Sequence, residues 1–168
     1  MDEPNSYTWY ALYTKSRAEK KALEQLKALN IEAYLPLRKR LKQWSDRKKW
    51  VEEPIIGSYI FVKIRSCDYR RVFEARSIVA YVSHKGKACP IPDSDIEAMK
   101  RCIESNLDFG VENEAIKKGQ LITVTSGPLE GIKGEVIDIK GTKKLSLSIS
   151  NIGYTLVVDL AEASIAKA

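Results

Sequence analysis

The sequence is poor in the residues that build metal centres and disulfide frameworks. It has three widely spaced cysteines, and His84 is its only histidine. Zinc sites use closely spaced Cys and His residues, and disulfide frameworks pair an even number of cysteines. We therefore expect neither a metal nor another cofactor, and we interpret Cys67, Cys89 and Cys102 as reduced thiols of a cytoplasmic protein.

Long hydrophobic runs are also missing. No apolar stretch approaches the roughly 18 residues that a membrane span needs. Residues 1–5 lack the basic region followed by apolar residues that is typical of a signal peptide. The composition, 44% hydrophobic and 30% charged, is that of a globular protein. We expect a monomeric cytoplasmic protein without a membrane partner.

Side chains for catalysis are equally scarce. A nuclease needs metal-binding carboxylates or a pair of histidines. The chain has one histidine, and its acidic residues fall mostly at predicted helix caps and turns. We therefore predict that the protein is not an enzyme.

Charge is distributed unevenly along the chain. Residues 1–106 hold 21 Lys and Arg against 14 Asp and Glu, residues 107–116 hold three acids and no base, and residues 117–168 hold seven bases against five acids. A basic front half and a nearly neutral back half suggest two domains with different partners. A polyanion is the expected partner of the front half.

Two predicted strands of the front half are apolar on both faces. In the strand within residues 54–64, Ile60 and Val62 share one face, and Tyr59 and Phe61 share the other. The strand within residues 6–14 likewise carries large apolar side chains on both faces. Such strands are normally covered on both faces. The open question is therefore what covers the face that carries Tyr59 and Phe61.

Helices are predicted between these strands. Ser16 and Glu19 form a Ser-x-x-Glu capping box before an apolar stripe, and a second helix is predicted from about Asp93 to Ser105. The order of elements predicts an α+β sandwich with an antiparallel sheet and helices mainly on one face. The other face would then present an open apolar patch, which usually indicates a partner.

A long hairpin is predicted between residues 31 and 54, with its turn at Ser45–Arg47. Seven bases lie between Arg38 and Lys49, and Trp44 and Trp50 flank the tip. One interpretation is a solvated arm that discourages edge-to-edge aggregation. The other is a basic finger for phosphates, with the tryptophans as stacking groups.

The back half has a different organisation. We interpret residues 107–118 as a linker between a domain at 1–106 and a second domain at 119–168. The second domain has glycine-rich turns and four predicted strands: Gln120–Thr125, Lys133–Lys140, Lys144–Ser150 and Tyr154–Asp159. So few short strands bury an apolar face by curling into a small β-barrel.

Two signatures coincide in this chain. The first combines the Trp9–Tyr13 strand, the helix after it, the basic hairpin and the Gly57–Val62 strand, and it resembles the N-terminal domain of NusG-type transcription elongation factors. The second is Val124-x-x-Gly127-Pro128-Leu129-x-Gly131-x-x-Gly134-x-Val136, which resembles a KOW motif. The front half is most similar to specialised paralogues of the RfaH kind, including capsule-locus antiterminators. It departs from many family members at Ile56-Gly57-Ser58-Tyr59, where they have Phe-Pro-Gly-Tyr or Phe-Pro-Asn-Tyr.

The resemblance implies a transcription elongation and antitermination factor without chemistry of its own. The open sheet face would bind the coiled-coil clamp helices of RNA polymerase and suppress pausing and termination. The positions that match this polymerase-binding surface are Trp9, Tyr13, Ile56, Tyr59, Phe61 and Val82.

The resemblance also implies two further contacts. RfaH-like members read the exposed non-template DNA strand with a basic patch, and the matching positions are Lys15, Arg17, Arg76 and Ser77. The KOW domain of the family recruits a second partner, either NusE with the ribosome or Rho. Ile152 matches an apolar contact position of that domain.

One alternative comes from a different class of protein. Ribosomal and ribosome-assembly proteins that bind structured RNA also carry KOW motifs. Such a protein would need dispersed basic tails and would have no use for an exposed apolar sheet face. The front half of the chain therefore decides between the two hypotheses.

Overall fold

A computed structural model describes residues 6–105, 109–112, 119–139, 142–159 and 164–167. The chain divides into two compact units, residues 1–90 and 91–168. This division differs from the predicted domains at 1–106 and 119–168, because the helix at Asp93–Glu104 packs against a strand of the second unit. Neither helix in the described ranges is long and apolar enough to cross a membrane.

The first unit combines one α-helix with short strands. Two 3₁₀ turns, Ser66–Asp68 and Arg71–Glu74, lie between the strand at Tyr59–Ile64 and the strand at Ile78–Tyr81. The other elements are β1 (Thr8–Thr14), α1 (Glu19–Ala28), β2 (Glu32–Tyr34), β3 (Leu37–Gln43), β4 (Lys48–Pro54), β5 (Tyr59–Ile64), β6 (Ile78–Tyr81), β7 (Ser83–His84) and β8 (Lys87–Ala88), followed by β9 (Pro90–Ile91) at the boundary.

The sheet has five strands: four lie in the order β2-β5-β1-β6, with antiparallel neighbours, and β9 also pairs with β1. Tyr10 pairs with Val62 and Leu12 with Ile60 across β1 and β5, so these side chains share one face. That face packs against α1 through Leu26 in one buried cluster. Full burial of each large aliphatic side chain contributes about 1.5–3 kcal/mol, which fixes α1 on this face of the sheet. The α+β architecture with antiparallel strands is confirmed.

Helix α1 begins differently from the prediction. Ala18 occupies the N-cap position and makes no side-chain cap, so Ser16 and Glu19 do not form a capping box. The Glu19 carboxylate instead accepts a hydrogen bond of 2.7 Å from the Ser58 backbone N–H. The Ser58 carbonyl accepts another of 2.9 Å from the Thr14 N–H. Both backbone groups of Ser58, whose φ is +62°, are thus held in the loop that leads into β5.

The predicted hairpin is present as β3 and β4, which pair in antiparallel register from Leu37–Pro54 to Gln43–Lys48. The Trp44 N–H donates to the Arg47 carbonyl at 2.8 Å and closes the predicted turn. Among the described strands, β3 and β4 pair only with each other. The hairpin is therefore a separate two-stranded arm of the first unit.

The second unit consists of α2 and a six-stranded antiparallel sheet in the order β10-β14-β13-β12-β11-β15. Four of its strands were predicted, with boundaries that agree to within about two residues. Its elements are α2 (Asp93–Glu104), β10 (Phe109–Glu112), β11 (Gln120–Ser126), β12 (Lys133–Ile139), β13 (Thr142–Ile149), β14 (Tyr154–Asp159) and β15 (Ser164–Lys167).

The predicted linker is wrong for part of its length. Residues 109–112 form β10, which pairs with β14 from Phe109–Val158 to Glu112–Thr155. The Phe109 side chain is buried, and burial of an aromatic ring is enough to hold a short edge strand on a sheet. The other predicted linker residues, 107–108 and 113–118, lie outside the described residues.

The glycine-rich turn between β11 and β12 explains the spacing of the KOW-like motif. Gly127 and Gly131 have φ values of +85° and +83°, which glycine adopts at little cost. The Gly131 N–H donates to the Val124 carbonyl at 2.7 Å and brings the two strands together. A Cβ at Gly134 would lie 2.7 Å from both Leu145 Cδ1 and Leu147 Cδ2. In this motif, Gly127 and Gly131 allow the turn between β11 and β12, and Gly134 allows β12 to pack closely on β13.

We predict that Glu19→Ala lowers the free energy of unfolding by about 1–3 kcal/mol, because the Ser58 N–H loses its acceptor in a partly buried site. Urea unfolding followed by circular dichroism measures the change. Glu24→Ala is the matched control, since Glu24 is exposed on the same helix. Equal stability of the two variants would contradict the structural role of Glu19.

A second prediction concerns the close approach of β12 and β13. Gly134→Ala should lower the free energy of unfolding by about 1–3 kcal/mol, because the new methyl group overpacks against Leu145 and Leu147. Gly57→Ala is the control, since a Cβ there meets nothing within 4 Å. Urea unfolding followed by circular dichroism measures the change. If both variants are as stable as the wild-type chain, packing does not require a glycine at position 134.

Candidate functional site

The face of the sheet opposite α1 carries most of the predicted polymerase-binding residues. The register between β1 and β5 pairs Trp9 with Lys63, Ala11 with Phe61, and Tyr13 with Tyr59. Cross-strand partners lie on the same face, so these side chains form one row. We call this row the second face of the sheet.

Most of this face is buried, in contrast to the prediction of an open apolar patch. Trp9 is 4% exposed and Phe61 is fully buried, and Ile56 and Val82 are buried as well. The expectation that these four side chains are exposed is therefore wrong in this structure.

The described contacts of these residues lie along the sheet. Phe61 lies between two paired strands, opposite Ala11 of β1 and with its ring centroid 6.4 Å from that of Tyr34 in β2. The Lys63 ammonium lies 5.8 Å from the centre of the Trp9 ring, within the range of a cation–π interaction. Val82 donates its N–H to the Ala11 carbonyl at 2.9 Å, which extends the pairing of β1.

One end of the second face is accessible. Tyr13 is 37% exposed and Tyr59 is half-buried, and their ring centroids are 5.0 Å apart with planes tilted by 55°. Tyr59 directly follows Ser58, whose N–H and carbonyl are both hydrogen-bonded. The tyrosine pair is therefore a preorganised aromatic surface at the end of strands β1 and β5.

The structure brings together the two segments of the predicted basic patch. The Lys15 N–H donates to the Ser77 carbonyl at 2.9 Å, so the turn after β1 lies beside the residues before β6. Lys15, Arg17 and Arg76 are exposed. Arg17 has a φ of +56° within the turn closed by the Ala18 N–H and the Lys15 carbonyl. Three cations therefore share one neighbourhood of the first unit.

Ser77 has a different place from the predicted one. Its side chain is buried, and its N–H donates to the Gln25 side-chain carbonyl at 3.0 Å. The Ser77 backbone is therefore hydrogen-bonded on one side to Lys15, which directly follows β1, and on the other to Gln25 of α1. A direct contact of the Ser77 side chain with nucleic acid is excluded in this conformation, and the residue acts as an anchor.

In the second unit, Ile152 lies in the turn between β13 and β14. Asn151 and Gly153 on either side of it have φ values of +66° and +74°. This turn directs the Ile152 side chain into a buried position. In this conformation Ile152 is a packing residue of the turn, and its match to an apolar contact position of the family stays a prediction.

The second unit has a cleft that was not predicted from the sequence. It has a volume of about 490 Å³ and lies between α2 and the sheet. Asp95 accepts the Ser150 N–H at 2.8 Å, and Arg101 donates to the Glu130 carbonyl at 2.7 Å. Asp95, Ala98 and Arg101 recur every three residues and line this cleft, and that spacing was the available signal.

Comparisons with known proteins agree with this fold. The family model described as "Transcription termination factor nusG" matches residues 7–100. The transcription termination/antitermination proteins NusG of Rickettsia conorii and Rickettsia typhi are both 23% identical to this chain, over 94% and 93% of it and 88% of each relative. A solved structure described as "Domain interaction in Thermotoga maritima NusG" has a TM-score of 0.54 at 20% identity, and covers 96% of this chain and 98% of that one.

These matches span both units of the chain. The family model covers more than half of it and includes the whole sheet of the first unit and the basic hairpin. The structural likeness, at this level of identity, concerns the fold. On this evidence the chain belongs to the NusG family of transcription termination factors.

Proposed function

We propose that this chain is a transcription elongation and antitermination factor that binds the clamp helices of RNA polymerase through its first unit. The curated relatives are named as termination/antitermination proteins. The observation that carries the proposal is the accessible Tyr13–Tyr59 pair, which two adjacent strands hold at a ring distance of 5.0 Å.

An aromatic pair of this kind suits a coiled-coil partner. Interface hot spots are enriched in tyrosine and tryptophan, and an amphipathic helix inserts its apolar side chains between such rings. Tyr13 and Tyr59 lose little conformational entropy on binding, because their strands are paired and Ser58 is held at both backbone groups. The two tyrosines are the direct contacts in this proposal.

The buried members of the predicted surface have a supporting role. Ala11 and Phe61 form the pair next to Tyr13 and Tyr59 along the strands. The backbone ladder fixes the distance between β1 and β5, and burial of Phe61 stabilises the part of the sheet beside the tyrosines. Trp9, Ile56 and Val82 are buried as well.

The effect on transcription follows from differential affinity. A factor that binds the elongating polymerase more tightly than the paused one shifts the population towards elongation. A tenfold preference corresponds to about 1.4 kcal/mol. No chemical step by this chain is needed.

The basic patch supports a contact with the non-template DNA strand. Lys15, Arg17 and Arg76 are exposed and close together, so they can approach a phosphate backbone. Such contacts add affinity without reading sequence, whereas an arginine stacked on a base adds specificity.

The second unit is proposed to recruit a further partner, either NusE with the ribosome or Rho. Its support is the KOW-like turn, in which Gly127 and Gly131 adopt positive φ. A ribosomal protein is the weaker hypothesis, because the family match at residues 7–100 covers sequence ahead of the KOW-like motif.

We predict that Tyr13→Ala and Tyr59→Ala each weaken binding to core RNA polymerase by at least about 30-fold, since truncation of a hot-spot residue costs about 2 kcal/mol or more. Biolayer interferometry with purified polymerase measures the Kd. Tyr7→Ala is the matched control, because Tyr7 is also an exposed tyrosine. Undiminished binding by both variants would refute the assignment.

The basic patch gives a separate prediction. The variant K15E/R76E should lose recruitment to elongation complexes that contain non-template DNA, while its affinity for polymerase without nucleic acid stays unchanged. Crosslinking to the non-template strand measures the contact. K21E/K27E is the control with the same change in net charge, since both lysines are exposed on α1. Equal crosslinking by the two double variants would count against the patch.

A further inference from the structure

The β3–β4 arm is a second cationic element of the first unit. Residues 37–54 contain seven Lys and Arg against three Asp and Glu, a net charge of +4. An isolated two-stranded hairpin is only marginally stable in water. The excess of like charge adds repulsion, so the arm carries more positive charge than its own stability favours.

The strand register sorts the charged residues. Lys42 pairs with Lys49 and Arg40 with Val51, so Arg40, Lys42 and Lys49 lie on one face of the arm. Lys42 forms an ion pair with Glu53, and its hydrogen bond lowers the pKa of that carboxyl. The Glu53 carboxylate therefore neutralises part of the positive charge on this face, and the net charge of the face remains positive.

The opposite face is apolar at its centre. Leu41 pairs with Trp50, and these side chains are 45% and 66% exposed. Lys39, which is paired with Glu52, and Lys48, which is paired with Gln43, lie on the same face, two residue pairs to either side. Trp44, at the turn, is 54% exposed.

These exposed side chains contribute little to the stability of the protein. A tryptophan stabilises a fold mainly through the area that it buries. Exposed tryptophans between lysines are instead the arrangement that binds unpaired bases, since aromatic rings stack on bases and cations neutralise phosphates.

We propose that the β3–β4 arm binds single-stranded nucleic acid, with a base stacked on Trp50 and phosphates held by the flanking lysines. Charge complementarity selects a polyanion as the ligand. The apolar centre of the face selects exposed bases over a duplex, whose bases are already stacked. Because the arm is a single layer of two strands, the cations of its opposite face add to the positive electrostatic potential around the bound nucleic acid.

Fluorescence anisotropy with the full chain and a short labelled oligothymidylate tests this, in the absence of polymerase. Trp50→Ala should weaken binding by about 5- to 150-fold, the range for loss of one base–aromatic stack. Tyr7→Ala, which removes an exposed tyrosine outside the arm, should bind as the wild type. Circular dichroism of Trp50→Ala verifies the fold.

The charges are tested in the same assay at several salt concentrations. K39Q/K48Q should reduce the slope of log K against log salt by about 1.4, since each lost contact to a single strand contributes about 0.7. The control K21Q/K27Q removes the same charge from α1 and should leave the slope unchanged.

The alternatives give different outcomes. Equal binding of a DNA duplex and the single strand, with no effect of Trp50→Ala, would overturn the proposal. Binding to anionic phosphatidylserine vesicles without binding to the oligonucleotide would overturn it as well. Because no polymerase is present, failure here leaves the clamp-binding proposal to its own test.

Discussion

The antiparallel pairing of β1 with β5 is the constraint on which the first unit depends. Its register places Leu12 and Ile60 on the face that packs against α1, and Tyr13 and Tyr59 on the other. A shift by one residue would exchange the two faces. It would move aliphatic core residues into the place of the tyrosines and leave α1 without a surface to pack on. The same pairing therefore determines both the stability of the unit and the position of its aromatic pair.

Polar contacts then refine what the pairing establishes. Glu19 lies on α1, yet its carboxylate holds the loop before Tyr59 through the Ser58 N–H. Ser77 has the corresponding role in the basic patch. Its carbonyl accepts a hydrogen bond from the Lys15 N–H, and its own N–H donates to the Gln25 side chain. Each is largely buried, and each fixes the backbone beside an exposed functional side chain. Supporting residues of this kind determine how precisely a surface is preorganised.

Periodicity in the sequence predicted most elements, because alternation and helical stripes reflect burial directly. It failed where a residue served a distant partner: Glu19 follows Ser16 at capping-box spacing but bonds to Ser58, 39 residues away. It also failed on exposure. Phe61 and Trp9 were assigned to the correct face, but a pattern within one strand does not reveal what covers that face. The sequence likewise does not show that the turn around Ile152 places its side chain in a buried position.

The two aromatic surfaces of the first unit differ in a way that matters for their partners. Tyr13 and Tyr59 belong to a sheet with a packed core beneath one face, so their geometry is nearly fixed before binding. Trp50 belongs to a two-stranded arm that pairs with no other described strand, so its position is held less firmly. A rigid pair suits a folded helix, whose side chains have one spacing. A slender, charged arm suits a flexible chain, because stacking and phosphate contacts tolerate many arrangements of the ligand. The rigid end of the sheet is thus matched to the folded helical partner proposed for it, and the slender arm is matched to the flexible nucleic acid proposed for it.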